Sequence, residues 1–399
     1  MNNRGYGQVS VSRKAEEKLK EGHPWVFEGE VTAQKDCEDG EICDVISTKG
    51  RWLGAGFYNG NSKIRVRVLS NNTNDRFDSD FWRRRVKYAV DYRKCVMGND
   101  FSCCRLIFGE ADFFPGLTVD RFSNVLVCQI ACLGIEKIKD IIYRALLDEL
   151  SGEVDIIYER GDAAVREKEG LPPHSGYYFG NGTGECEITE NGIVYTVDYI
   201  NGQKTGFFLD QKYNRQAAAR IAPGKRVLDC FTHTGAFALN AAKAGAERVT
   251  AVDISCDAVE MTRRNAKRNS LDKNMDFVAA DVFDMLSEMQ AKKCRDYDYI
   301  ILDPPAFTKS SSTIGNAARG YREINSLAMK ILPRGGYLAT CSCSHFMRES
   351  LFCSMLHSAA ADAGVRLRQI EARQQSPDHP ILWSVPETDY LKFFIFQIV

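Results

Sequence analysis

With 399 residues, 44% hydrophobic and 26% charged, the chain has apolar content for two or three domains with real cores, which excludes a disordered or fibrous protein. A formal net charge of −1 gives no global basic field, and no apolar run is long enough to span a bilayer, so no membrane partner is expected. Fourteen cysteines without a C-x-x-C pair or a secretory leader, and six histidines without ligand spacing, predict reduced thiols in a cytoplasmic protein and no metal site.

From the N-terminus, Val9 and Val11 alternate with serines as in a short strand, and Arg13–Lys20 reads as a small charged helix that Gly22-His23-Pro24 ends. Trp25-Val26-Phe27 opens another apolar segment. Strand-like runs at Glu41–Ile46, Trp52–Tyr58 and Lys63–Leu69 follow, separated by Asp39-Gly40, Lys49-Gly50 and Asn59-Gly60-Asn61, a spacing that predicts a small β-barrel. Residues 70–75 are polar and turn-rich and read as a linker. Beyond them, Ser79 or Asp80 is placed to cap a helix with Trp82, Val86, Ala89 and Val90 on one side. Residues 61–94 hold ten Lys and Arg against four Asp, an excess of six positive charges in a nearly neutral chain. Lys63, Arg65 and Arg67 on one strand face, with Arg83, Arg84 and Arg85 on the helix, make a local phosphate-binding footprint or a solvated face, and charge alone does not choose.

Residues from about 101 to 200 read as a small α+β unit. Its strands are Leu106–Phe108, Leu117–Asp120, Val125–Ala131, Val154–Glu159 and Ile193–Tyr199, its amphipathic helix Ile135–Leu150, and its long loop Gly170–Gly184. It carries no catalytic constellation.

The third unit begins near Asn201 and is organised around Lys225–Ile254, which reads as strand, tight loop, helix, strand. Asp229 stands at the first strand's tip and Asp253 at the second's. Phe277–Ala280 leads to Asp281, and Tyr299–Leu302 leads to Asp303-Pro304-Pro305-Ala306-Phe307. Four strands with an acid at the C-terminal end predict a parallel α/β sheet whose ligand binds at that edge, where a carboxylate accepts from ribose hydroxyls. Only Gly235 stands where a dinucleotide loop would need G-x-G-x-x-G, and an aspartate at the first tip is poor company for phosphates. The site therefore suits a cationic ligand with amine and hydroxyl groups. S-adenosylmethionine fits that description.

Asp229-x-Phe231-x-x-Thr234-Gly235 with Asp253, Asp281 and DPPAF at 303–307 resembles the class I S-adenosylmethionine-dependent methyltransferases. HPWVF at 23–27, GLTVDR at 116–121, ERGDAAVREKEGL at 159–171 and KTGFFLDQ at 204–211 are similar to the bacterial 23S ribosomal RNA large-subunit cytosine-5 methyltransferases. The resemblance covers nearly the whole chain. It implies a PUA-like β-barrel over 1–72, a central α+β domain over 73–195 and a Rossmann-like methyltransferase domain over 196–399, with S-adenosylmethionine as cofactor. It also implies 23S ribosomal RNA, free or in an assembly intermediate, as partner, and a homodimer is compatible with it.

The site residues follow from the same resemblance. Phe207, Phe208, Asp210 and Gln211 match the segment that closes over the cofactor. Asp229, Thr234, Gly235 and Phe237 match the loop around its methionine end, Asp253 the ribose-binding acid, and Asp281 the residue beside adenine. Phe231, Ile254, Val282 and Pro304 flank these as further cofactor contacts. Asp303 matches the acid facing the target base, and Cys343 the nucleophile of a Ser-Cys-Ser element. Sister enzymes that make 7-methylguanine carry asparagine where Cys343 stands. DPPAF has no cysteine after its prolines, which leaves one active-site thiol.

Both cysteines of Cys341-Ser342-Cys343 follow the strand Tyr337–Thr340, and in an extended segment they share a face. Depth separates them: Cys343 lies roughly 6–7 Å nearer the ligand edge. Cys341 is expected to pack as a small buried hydrophobe. Three rival functions remain: a methyltransferase acting on guanine or an exocyclic amine, which does not need Cys343; a nicotinamide-dependent oxidoreductase, which lacks its glycine fingerprint here; and a non-catalytic RNA-binding protein.

Overall fold

The computed structural model describes residues 4–161, 163–308 and 310–399; Asp162, in the 159–171 motif, lies outside the described residues. The chain divides into two compact units. One holds residues up to 186 with 197–207 and 377–388, and the other 187–196, 208–376 and 389–399.

The first unit opens with β1 (Gly7–Val11), α1 (Arg13–Lys20), β2 (Trp25–Phe27), β3 (Val31–Lys35), β4 (Ile42–Ser47), β5 (Trp52–Tyr58) and β6 (Ile64–Ser70). These strands form one sheet in the order β2-β6-β5-β4-β1-β3, in which β1 runs parallel to β4 and the other pairs are antiparallel. Val9, Val11, Val26, Val45 and Val66 supply its buried face, with Ala15 of α1 laid against them. Helix α2 (Ser79–Met97) follows. Its cap is Asp78, whose carboxylate accepts from Phe81 N at 2.9 Å, and not Ser79 or Asp80 as the sequence predicts. The remainder is β7 (Cys103–Phe108), β8 (Leu117–Phe122), β9 (Val125–Ile130), α3 (Leu133–Glu149), β10 (Ile156–Arg160), α4 (Ala163–Lys168) and β11 (Ser175–Phe179). They build a five-stranded sheet, order β11-β10-β9-β8-β7. Strand β11 lies inside the expected loop 170–184. Its exposed-intermediate alternation marks an edge strand too polar to announce itself.

A hairpin of β12 (Glu185–Glu190) and β13 (Ile193–Asp198) comes next in the chain. The second unit continues through α5 (Lys212–Ala219), β14 (Arg226–Cys230), α6 (Ala236–Lys243), β15 (Arg248–Asp253), α7 (Cys256–Arg268), β16 (Met275–Ala279) and α8 (Val282–Ala291). It ends with β17 (Tyr299–Leu302), α9 (Ile314–Ile331), β18 (Tyr337–Ser342), α10 (Glu349–Ala363), β19 (Leu367–Arg373) and β20 (Lys392–Ile398). The sheet order is β16-β15-β14-β17-β18-β20-β19. Strands β14 to β18 are parallel, and β20 runs antiparallel to β18 and β19. Every residue of β17 is buried, as a central parallel strand covered on both faces requires. Leu228, Ile300, Leu302 and Leu338 share a core with Tyr321, Ile324 and Phe352 of α9 and α10. The sheet is thereby fixed with the C-terminal ends of β14, β15, β17 and β18 side by side.

Two acids sit differently from the expectation of strand tips. Asp229 lies inside β14, which runs on to Cys230, and Asp281 stands two residues beyond β16 as the N-cap of α8. Among the described residues no helix is long and apolar enough to cross a membrane.

Candidate functional site

Between β14 and α6 the chain turns within five residues, with Phe231 at φ 64°, His233 at φ 52° and Gly235 at φ 83°. A left-handed conformation suits glycine and strains the other two, so the loop is held by its neighbours. Thr232 N donates to Val252 O at 2.9 Å and His233 N to the Asp253 carboxylate at 2.9 Å. From α7, Thr262 donates to His233 O at 3.0 Å and Asn265 to Thr234 O at 3.1 Å. Gly235 leaves no room for a side chain: an added Cβ would stand 2.5 Å from Thr262 Cγ2 and 2.9 Å from Leu239 Cδ1.

Asp229 is buried beneath this loop. One carboxylate oxygen accepts from Thr232 Oγ1 at 2.6 Å and Ala238 N at 3.0 Å, and the other, Oδ1, has no hydrogen-bond partner among the described residues. Burial pushes its pKa from an ordinary 3.8 up to about 7, and the nearby Asp303 and Asp253 charges add to the rise. Thr234 Oγ1 is also buried without a hydrogen-bond partner among the described residues. Unsatisfied acceptors under a strained loop are what an amine-bearing cation would satisfy. Asp253 is oriented by His233 N and Ser255 N, and Ile254 beside it is 70% exposed, an apolar surface open to a flat ring.

The neighbouring strand ends carry the second half of the site. Leu302 of β17 pairs with Thr340 of β18, which sets Asp303 beside Cys341. The Cys341 thiol donates to Asp303 Oδ1 at 3.0 Å and to Leu302 O at 3.3 Å. Gln211 Nε2 donates to Asp303 Oδ1 at 3.2 Å and to Cys341 Sγ at 3.4 Å. Gln211 Oε1 in turn accepts from Asn214 at 2.7 Å. Burial raises the pKa of Asp303. Burial and the Asp303 charge together drive the Cys341 thiol well above its ordinary value. Cys341 is thus buried as expected, yet it is no mere hydrophobe: it is a fixed thiol that orients Asp303. Cys343, one residue past the end of β18, is partly exposed.

The remaining expected residues divide. Asp210 accepts from Tyr390 OH at 2.6 Å, and Phe208 packs edge-on to His233 with ring centres 4.9 Å apart. Phe207 is buried and belongs to the first unit. Phe237 stacks on Phe393 at 6.0 Å, and Phe231 packs against the core. Val282 places its side chain in that core, and Pro304 is buried. Asp281 is exposed and caps α8 by accepting from Phe283 N at 2.8 Å.

In the first unit, Lys63, Arg83 and Arg84 are exposed. The other three expected RNA contacts are taken up by protein acceptors, which corrects the picture of a free basic face. Arg67 is buried against Glu169 at 2.7 Å, and Arg65 pairs with Glu28 at 2.6 Å. Arg85 donates to Leu69 O and Phe113 O with its guanidinium 4.4 Å from the Phe81 ring. Sequence reading missed Trp383, which is 96% exposed, and Lys392, which lies buried beside the Cys343 segment.

The sequence matches the family described as S-adenosylmethionine-dependent methyltransferase over residues 117–394 and a PUA-like domain over residues 9–71. It is 43% identical to the ribosomal RNA large subunit methyltransferase I of Aeromonas hydrophila, over 96% of this chain and 97% of that protein. It is 38% identical to the protein of the same name from Klebsiella pneumoniae strain 342, over 99% of each. Among solved structures it is similar in fold to a proposed SAM-dependent methyltransferase from Streptococcus mutans, with a TM-score of 0.83 at 24% identity over 98% of this chain and 99% of that one. The loop without a phosphate cradle, the orphaned acceptor of Asp229 and the acids Asp253 and Asp303 at the ends of β15 and β17 agree with these matches. The chain belongs to the S-adenosylmethionine-dependent methyltransferase family and carries a PUA-like domain on its N-terminal side.

Proposed function

We propose that this methyltransferase forms 5-methylcytosine in 23S ribosomal RNA, with Cys343 as nucleophile and Asp303 facing the base. The observation that carries the reading is the partly exposed Cys343, just past β18, next to a strand end where Gln211 and Cys341 hold Asp303. The name shared by the curated relatives supports ribosomal RNA as substrate. Asp229 and Thr234 would hold the methionine end of S-adenosylmethionine, Asp253 its ribose hydroxyls, and Ile254 with Asp281 its adenine. S-adenosylmethionine supplies a methyl group on a sulfonium, and carbon 5 of cytosine is too weak a nucleophile to take it unaided. Addition of the Cys343 thiolate at carbon 6 moves an electron pair to carbon 5. Asp303, its pKa raised by burial, is suited to hydrogen-bond the ring nitrogen and stabilise the activated base. Once carbon 5 carries the methyl group, loss of its proton to a base restores the carbon 5–carbon 6 double bond and expels the thiolate.

Lys63, Arg83 and Arg84 would meet phosphates, and the exposed Trp383 offers a face on which an unpaired base can stack. The target nucleotide is looped out or single-stranded, because a helix hides it. The proposal keeps the three-part division at residues 72 and 195 and a cytoplasmic location, and a homodimer is compatible with it. Incubating 23S ribosomal RNA with the protein and a labelled methyl donor, followed by nucleoside mass spectrometry, tests the reading. Label in 5-methylcytidine supports it. Label in a methylated guanosine or an exocyclic amine overturns it.

A further inference from the structure

Lys392 is the first residue of β20 and pairs across the sheet with Ser342, the last residue of β18. Its side chain is turned inward and the residue is only 3% exposed. The ammonium donates to Ser344 O at 2.6 Å and to Tyr390 O at 2.8 Å. Both acceptors are uncharged main-chain carbonyls. Asp389, Cys343 and Glu349 are the groups whose charges act on it, and neither carboxylate forms an ion pair with it. Burying an ammonium without a counter-ion is costly, and buried charges in proteins are ordinarily paired. In keeping with that cost, burial pushes the Lys392 pKa from 10.5 down to about 8. Something in the working enzyme should supply the missing negative charge.

The strand pairing of Lys392 with Ser342 and the bond from its ammonium to Ser344 O bracket Cys343 along the chain, at the strand end already described. We propose that the counter-ion of Lys392 is the thiolate of Cys343, so that Lys392 is the positioning residue that keeps the nucleophile ionised. A thiol beside a fixed cation loses its proton near neutral pH, and the thiolate is the reactive form. The thiol proton leaves to water before the first turnover, and Lys392 keeps its own proton throughout. The sulfur electron pair becomes the sulfur–carbon 6 bond, and the carbon 5–carbon 6 π pair is displaced onto carbon 5. Elimination returns the pair to sulfur, again beside the ammonium. The two carbonyls leave the ammonium a third N–H to donate, and its burial limits competition from water.

This inference rests on Cys343 as the nucleophile, and the experiment separates the two claims. Full-length wild type, Lys392→Met and Lys392→Arg are alkylated with iodoacetamide across pH 5.5–10, and the rate at Cys343 is followed by peptide mass spectrometry. Cys256, which is exposed, serves as the internal control. Lys392→Met should move the midpoint for Cys343 up by more than one pH unit, a loss of about tenfold in rate at pH 7. Lys392→Arg, which keeps the charge, should stay nearer to wild type and covers the case in which the methionine variant fails to fold. S-adenosylmethionine binding should persist in both. A profile for Cys343 that is the same in all three proteins, or a shift shared by Cys256, overturns the pairing. If the Cys343 midpoint shifts in Lys392→Met while Cys343→Ala still methylates RNA, the ion pair stands and the covalent reading falls.

Discussion

Replacing Asp229 by asparagine separates two consequences of burying its carboxyl. The asparagine oxygen can still accept from Thr232 and Ala238, and the amide then stands where Oδ1 has no partner. In the wild type, burial holds the folded pKa near 7 against an ordinary 3.8. The folded state therefore binds this proton more tightly than the unfolded chain. Stability from this group is highest below pH 3.8 and falls as pH rises toward 7, then levels off. The gap corresponds to about 4 kcal/mol at full ionisation. By the same linkage, about 2 kcal/mol of it falls between pH 5.5 and 8.5. Asparagine removes that dependence. Ligand-free Asp229→Asn should thus gain a few degrees of melting temperature over wild type as pH is raised through that window. It should also lose S-adenosylmethionine affinity by roughly tenfold or more, because the charged acceptor for the cofactor's amine is gone. Scanning calorimetry at several pH values, with titration calorimetry at pH 7.5, measures both. Parallel pH profiles for the two proteins, or an unchanged affinity, would refute the reasoning.

Asp253→Ala should weaken S-adenosylmethionine binding by about 1–3 kcal/mol with the fold intact, since it removes the acid that His233 N and Ser255 N orient; calorimetry measures it. Arg83→Ala with Arg84→Ala should weaken RNA binding and flatten its salt dependence while cofactor affinity survives. Arg85→Ala should instead lower thermal stability, because its guanidinium holds Leu69 O and Phe113 O. Gly235→Ala should destabilise by about 1–3 kcal/mol, from its positive φ and the contact with Thr262, read as a lowered denaturant midpoint.

The sequence carried the parts of the fold that one segment determines. Strand β17 is a continuous buried run and α1 a charged helix with a serine cap, and both appear with the boundaries read from sequence. The acids of the methyltransferase half were legible because each follows its own apolar run in the sequence. Partnerships across the sheet were not. Lys392 lies 49 positions from Cys343, and only the antiparallel return of β20 brings it beside Ser342. The bond from Cys341 to Asp303 likewise needs the β17–β18 register. Alternation put Lys63, Arg65 and Arg67 on one strand face, but no pattern says that Glu169 waits for Arg67. Strand β11 escaped because its edge position leaves it half polar.

The central claim is that Cys343 attacks carbon 6 of cytosine while Cys341 fixes Asp303. RNA carrying 5-fluorocytosine tests it most directly, because a fluorine at carbon 5 cannot leave as a proton does and the covalent intermediate is trapped. Wild type and Cys341→Ala should form a protein–RNA adduct stable to denaturing electrophoresis, the variant more slowly since Asp303 has lost its thiol donor. Cys343→Ala should form none while still binding S-adenosylmethionine. An adduct that persists in Cys343→Ala and vanishes in Cys341→Ala would reverse the two roles, and its absence from the wild type would remove covalent cytosine chemistry altogether.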